Sequence, residues 1–298
     1  MTESMCLEAA QFYERCERMQ KELKETMIRS DFHMHTEFST DSEATVDSMG
    51  KAAVERGLRT ICITDHMDAD YPPDEELGEN PFRLDTDTYF AQLLKKKKEF
   101  EGQLQVRIGI ELGLQKHLQA EYKTLTEKYP FDFVIGSMHL IQGEDPYNGK
   151  MFEGVSDADA YRSAFRETLD CIRKIRCFDV LGHIDYVVRY GKHQAEEYSY
   201  RQFSDEIDEI LKELINSGKG LELNMAGIKY GLGFAHPHPD VLCRYKELGG
   251  EIITVGSDAH KPEHVGYDFE TAGELLKACG FRYYTEFEKR KAVFRRIP

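Results

Sequence analysis

Short apolar, strand-like runs alternate with amphipathic, helix-like runs along most of this chain. That alternation restricts the fold to βα units around a mostly parallel sheet. Apolar periodicity places the strands at about 28–33, 58–64, 104–111, 131–139, 179–187, 220–224 and 251–258, with a further one at 281–286. The helices between them are punctuated. Thr45 is positioned to cap a helix over 46–56 that stops before Gly57, and Asp85 or Thr86 to cap a run ending at Gly102. Others are expected over 158–177, 199–217, 239–248 and 271–278. Residues 5–27 form a separate helical pattern, with Cys6, Ala9, Phe12, Cys16, Met19 and Leu23 on one face. The chain therefore divides into an N-terminal helical extension, 1–27, and one βα domain, 28–298.

Right-handed crossovers put the C-terminal end of every parallel strand on one face, so residues at those ends meet however far apart they are in sequence. Here the ends carry metal-binding types: His33 and His35, His66, Glu111, His139, His183, Asp258 and His260, with Asp41 in the loop after the first pair. A closed barrel fits better than an open doubly wound sheet, because candidate ligands come from nearly every strand.

In a strand, residues two apart point to the same side, so His33 and His35 can grip one ion while Met34 points away. One such pair is weak evidence, and Asp258 with His260 repeats the spacing. Glu111 ends an apolar strand and has two oxygens able to bridge ions. Mixed imidazole and carboxylate donors without Cys favour Zn, Mn or Fe over Ca or Mg, and argue against a structural zinc site. Asp31, Asp65 and Asp185 are the expected carboxylates orienting the ligating imidazoles.

A formal charge of −15 disfavours a general nucleic-acid binder. Three bound divalent ions, about six positive charges at one place, would still draw a small anionic substrate. The sequence lacks both a membrane-spanning run and a signal-peptide pattern at its charged start, so a cytoplasmic protein is expected. Its seven Cys, an odd number without a CxxC pair, are expected as reduced thiols with no catalytic role.

The motifs His33-Met34-His35, Thr64-Asp65-His66, Gly109-Ile110-Glu111, Gly136-Ser137-Met138-His139, Gly182-His183-Ile184-Asp185 and Ser257-Asp258-Ala259-His260 occur in that order. In this set the chain resembles the PHP (polymerase and histidinol phosphatase) family, over about residues 30–285, and within it the stand-alone histidinol-phosphatases. Met225-Ala226-Gly227-Ile228-Lys229 departs from the Thr-Ser-Gly-Leu-Arg-like segment of many such enzymes. The resemblance implies an α/β fold, a distorted (β/α)7 TIM-like barrel, with up to three divalent transition-metal ions at the C-terminal ends of the strands. It implies His33, His35, Glu111 and Asp258 at one ion, and Glu111, His139 and His183 at a second. His66 and His260 would hold the third, with Asp41 beside them.

The implied reaction is metal-dependent hydrolysis of a phosphomonoester, L-histidinol phosphate above all, in histidine biosynthesis, with Glu111 and Asp258 at the reacting centre. Arg189, Lys229 and Asn224 are the expected substrate-binding residues, with Arg189 also assisting the reaction. His236 and His238 are candidates to donate a proton or touch substrate. Two other functions fit the same residues: a phosphoesterase for another small phosphomonoester, such as a nucleotide or sugar phosphate, and a non-catalytic metal-binding partner module.

Overall fold

The structure, a computed structural model, describes residues 27–75 and 77–298. The helix expected over 5–27 lies almost wholly outside the described residues. The main sheet is made of β1 (Ser30–Asp31), β2 (Thr60–Ile63), β3 (His66–Met67), β4 (Gln105–Gly113), β5 (Phe133–Ser137), β6 (Val180–Leu181), β7 (Gly220–Asn224) and β8 (Ile253–Gly256). All pairings are parallel, and β3 prolongs the line of β2 by pairing His66 with Glu111. The sheet therefore has seven staves. It closes where the Phe32 amide donates to the Val255 carbonyl at 2.9 Å and the His35 amide to that of Ala259 at 2.8 Å.

The helices are α1 (Val46–Glu55), α2 (Thr86–Glu99), α3 (Gln119–Lys128), α4 (Asp157–Lys174), α5 (Ser204–Asn216), α6 (Ala226–Lys229), α7 (Pro239–Glu247) and α8 (Phe269–Ala278). Their caps agree with the sequence. Thr45 Oγ1 accepts from the Ser48 amide at 3.1 Å and Asp85 Oδ1 from the Thr88 amide at 3.2 Å, each bond satisfying an amide that the helix leaves unpaired. α5 shows why the helices stay on the barrel: Ile207, Ile210, Leu211 and Leu214 bury one stripe.

Three expectations change. α3 was not foreseen, because Tyr122 is its single fully buried side chain and so thin a stripe gives little periodic signal. The strand expected over 179–187 shrinks to two residues, after which the chain turns through Tyr186–Tyr190. The run at 281–286 is no barrel stave. It belongs to an antiparallel ribbon of β9 (Tyr283–Glu288) and β10 (Lys291–Arg296), turning at Lys289 and Arg290 with φ of 50° and 62°.

That ribbon plugs the barrel floor. Phe287 enters a cluster with Phe32, Cys62, Phe133, Ile135 and Val180, its ring centroid 5.0 Å from that of Phe133. Arg290 donates through Nε to Asp179 beside it. The thiol expectation also needs correction: Cys243 on α7 and Cys279 after α8 are joined in a disulfide, while Cys62, Cys171 and Cys177 are free. These two partners are far apart in sequence and meet through helix packing. Among the described residues, no helix is long and apolar enough to cross a membrane.

Candidate metal centre

Glu111, fully buried at the C-terminal end of β4, is the hub of the rim. Its Oε2 lies 3.2 Å from His33 Nε2, 3.4 Å from His35 Nε2 and 3.0 Å from His66 Nδ1. Its Oε1 lies 3.2 Å from His139 Nε2 and 3.0 Å from His183 Nε2. Asp258 Oδ1 approaches His33, His35 and His260 at 3.8, 3.4 and 3.6 Å. Asp41 Oδ2, the most open member, faces His260 Nε2 at 3.1 Å and His66 Nε2 at 3.6 Å. The structure brings all nine predicted residues into one connected cluster.

The donor set fits divalent ions. His33, His35 and Glu111 form one tight trio; Glu111, His139 and His183 form another; His35, His66 and His260 form a third. Buried His66 Nδ1, His183 Nδ1 and Glu111 Oε2 have no hydrogen-bond partner. Buried polar atoms normally find partners, so atoms left unpaired within a ligand-like cluster fit the binding of ions there.

Electrostatics agrees. Burial alone would lower the His33 pKa, but the Glu111, Glu222 and Asp258 carboxylates hold it well above the usual imidazole range. His139 is likewise depressed by burial yet raised to about 10 by Asp68 and Glu111. His35 is pushed well down by burial and by neighbouring His66 and His260. Burial would raise Glu111, yet the imidazoles of His33, His139 and His66 bring it well below the ordinary carboxylate range. The carboxylates that raise His33 and His139 would equally favour cations bound among these rings.

Two carboxylates escaped the sequence reading. Glu222 accepts from the His183 amide at 3.0 Å through Oε2, and its Oε1 lies 2.6 Å from His33 Nδ1. Asp68 Oδ1 lies 2.9 Å from His139 Nδ1. These contacts fix ring orientation and raise donor basicity. Glycines make room for both, since a Cβ on Gly256 would meet Glu222 and His33, and one on Gly113 would meet the Asp68 carboxylate. A signal existed for Asp68, which shares the period-two side of His66; Glu222 sits within β7, inside a strand rather than at its end. Asp68→Asn is expected to weaken metal retention about 10- to 100-fold while leaving the melting temperature within a few degrees. A chelator-competition titration on the purified variant checks this, and unchanged retention would remove Asp68 from the centre.

None of the three carboxylates expected in this orienting role contacts a ligating ring directly. Asp31 accepts from Ser257, Gly266 and His33 backbone amides, so it ties the first stave to the last. Asp65 reaches the centre through Ser39, whose hydroxyl donates to it at 2.6 Å and lies 3.2 Å from His35 Nδ1. Asp185 holds His236 Nδ1 at 2.6 Å and accepts from the His238 amide and the Tyr198 hydroxyl. His236 is buried and His238 caps α7 by accepting from the Asp240 amide, so neither lines the cavity.

Above the cluster lies a cavity of about 460 Å³, walled by Arg189, Asp145 and several tyrosines. The Arg189 guanidinium lies 4.0 Å from the Tyr230 ring centroid and 5.2 Å from that of Tyr190. The Tyr71 hydroxyl donates to Asp145 on another wall. Asn224 and Lys229, the other residues expected beside the substrate, are not among those lining this cavity. Asn224 is buried, donating to Glu222 at 3.2 Å and to Asp258 Oδ2 at 3.3 Å. The Lys229 ammonium donates to the Ser257 and Asp258 carbonyls instead.

A closed parallel barrel whose rim gathers imidazoles around one buried carboxylate defines a class: a barrel-mouth centre for several divalent ions. Residues 31–226 match the PHP domain, and the chain belongs to the PHP family. It is 33% identical to the "probable histidinol-phosphatase" of Clostridium acetobutylicum over 87% of this chain and 97% of that one. It is 30% identical to the histidinol-phosphatase of Lactococcus lactis, covering 89% of this chain and 96% of that one. The crystal structure of histidinol phosphate phosphatase from Lactococcus lactis, complexed with zinc, L-histidinol and phosphate, superposes with a TM-score of 0.80. That match covers 89% of this chain and 98% of that one at 30% identity.

Proposed function

We propose that this protein is a metal-dependent histidinol-phosphatase, converting L-histidinol phosphate and water to L-histidinol and phosphate. The observation that carries the reading is Glu111, one buried carboxylate within 3.4 Å of five imidazoles beneath an arginine-walled cavity. Likeness to the zinc, histidinol and phosphate complex supports the substrate. His33, His35, Glu111 and Asp258 would hold one ion, Glu111, His139 and His183 a second, and His66, His260 and Asp41 a third. Bound there, zinc, manganese or iron supplies an acidified water and neutralises phosphoryl charge.

The protein's own groups do the rest. Glu111 keeps five donors aimed at one point, and Glu222 and Asp68 set the orientation of His33 and His139. Arg189, resting on tyrosine faces, presents its guanidinium to the phosphoryl oxygens, where charge spreads in the transition state. No side-chain nucleophile is required. Asp145 and the tyrosines offer an anionic and aromatic wall to the amino and imidazole ends of histidinol. A small biosynthetic phosphomonoester also fits a cytoplasmic protein.

Steady-state rates against a panel of phosphomonoesters test the substrate. Histidinol phosphate is expected to give a kcat/KM at least about 100-fold above nucleotide and sugar phosphates, as a cavity with matched polar partners should discriminate. A nucleotide or sugar phosphate turning over faster would replace it, and metal binding with no phosphoester hydrolysis would leave a non-catalytic module.

A further inference from the structure

We propose that Lys229 is a positioning residue for the candidate ligand Asp258, fixing the backbone that aims this carboxylate at the cluster. The Asp258 backbone adopts a φ of 52°, in the left-handed region that residues with a Cβ enter at a cost. Something must hold it there. On one side the Asp258 amide donates to the His33 carbonyl at 2.8 Å. On the other, Lys229 Nζ donates to the Asp258 carbonyl at 2.7 Å and to the Ser257 carbonyl at 3.1 Å. Both ends of the residue are gripped, and Asn224 Nδ2 meets Oδ2 of the carboxylate.

The placement of Lys229 favours this over a phosphate contact. An ammonium has three donors, and two are spent on carbonyls. The Tyr230 ring, 4.8 Å from Nζ, lines the cavity, whereas Lys229 itself is not among the lining residues. That same ring carries Arg189 at 4.0 Å, and Arg189 also lines the cavity. The short helix α6 and the residue after it therefore divide the work: Lys229 serves the ion-holding turn and Tyr230 supports the phosphate-facing guanidinium.

The inference depends on the metal centre proposed above, so the test reads ion retention separately from catalysis. Wild type, Lys229→Met, Lys229→Gln and Arg189→Ala are each loaded with zinc, and three quantities are measured. These are retention against a chromophoric chelator, the inhibition constant of inorganic phosphate at saturating zinc, and the melting temperature. Lys229→Met is expected to retain zinc about 10- to 100-fold less tightly, with the phosphate constant within about twofold of wild type. Lys229→Gln, whose shorter side chain keeps two N–H donors on one nitrogen, is expected to fall between, so the question stays decidable if the Met variant does not fold. Arg189→Ala should show the reverse pattern, weaker phosphate inhibition with normal retention. Weakened phosphate inhibition and unchanged zinc retention in the Lys229 variants would overturn the proposal, as would no change in either. A wild-type protein that binds no zinc, manganese or iron would defeat the metal centre itself and this role with it.

Discussion

Glu111→Gln is expected to abolish phosphatase turnover, by about 10³-fold or more, and to lower bound metal while the barrel stays folded. The amide matches the carboxylate in shape, so the loss isolates charge. Glu111 is fully buried and lies between the imidazoles of His33, His35 and His66 on one oxygen and those of His139 and His183 on the other. Replacing it leaves no anion at the point that several cations would share, and an amide nitrogen would face imidazole donors. A 10³-fold loss corresponds to about 4 kcal/mol of transition-state stabilisation, within the range expected for removing a central charge from a dry site. Elemental analysis, circular dichroism and kcat/KM on the same preparation decide the matter. A variant with full metal and full activity would mean that Glu111 is not the bridge.

The second large effect is proton-linked metal loss. Exhaustive chelation is expected to remove activity, and restoration to require zinc, manganese or iron. Reloading should depend steeply on pH in a defined direction. In the metal-free protein, burial pulls the imidazoles of His33, His66 and His139 down, but neighbouring carboxylates raise them overall, His139 to about 10. These shifts favour the protonated rings, whereas ligation uses the neutral ring, so ion binding is expected to displace protons from them. Binding tightens as pH rises, about tenfold per unit for each proton released, and the dependence fades above the raised pKa values. Calorimetric titrations in buffers of different ionisation enthalpy are expected to show at least about one proton released per ion near pH 7. Affinity independent of pH between 6 and 8 would show that the rings are already neutral.

Much of the site is legible in the sequence. The two period-two pairs, His33 with His35 and Asp258 with His260, follow from strand geometry, and parallel topology explains how residues 33 and 258 can touch. Glu111 was recognisable as a carboxylate with no core role at the end of an apolar run. Other features left little trace. Glu222 lies within β7 and looks like any polar strand residue until His33 is seen 2.6 Å away. The ribbon turns through Lys289 and Arg290 rather than the Asn-Gly type that advertises a hairpin. Cys243 and Cys279 pair across two helices whose packing has no local signature.

By itself, then, the sequence determined the parallel βα architecture and the donor types at its rim, because hydrophobic period and strand-end position are local properties. Tertiary structure alone decided which carboxylates orient the imidazoles and where the basic residues point. Asp185, expected to orient a ligand, holds His236, and Lys229, expected at the phosphate, grips the turn of Asp258. The physical reason is reach: a long side chain chooses among partners brought close by other segments of the chain, and those distances exist only once the barrel has closed.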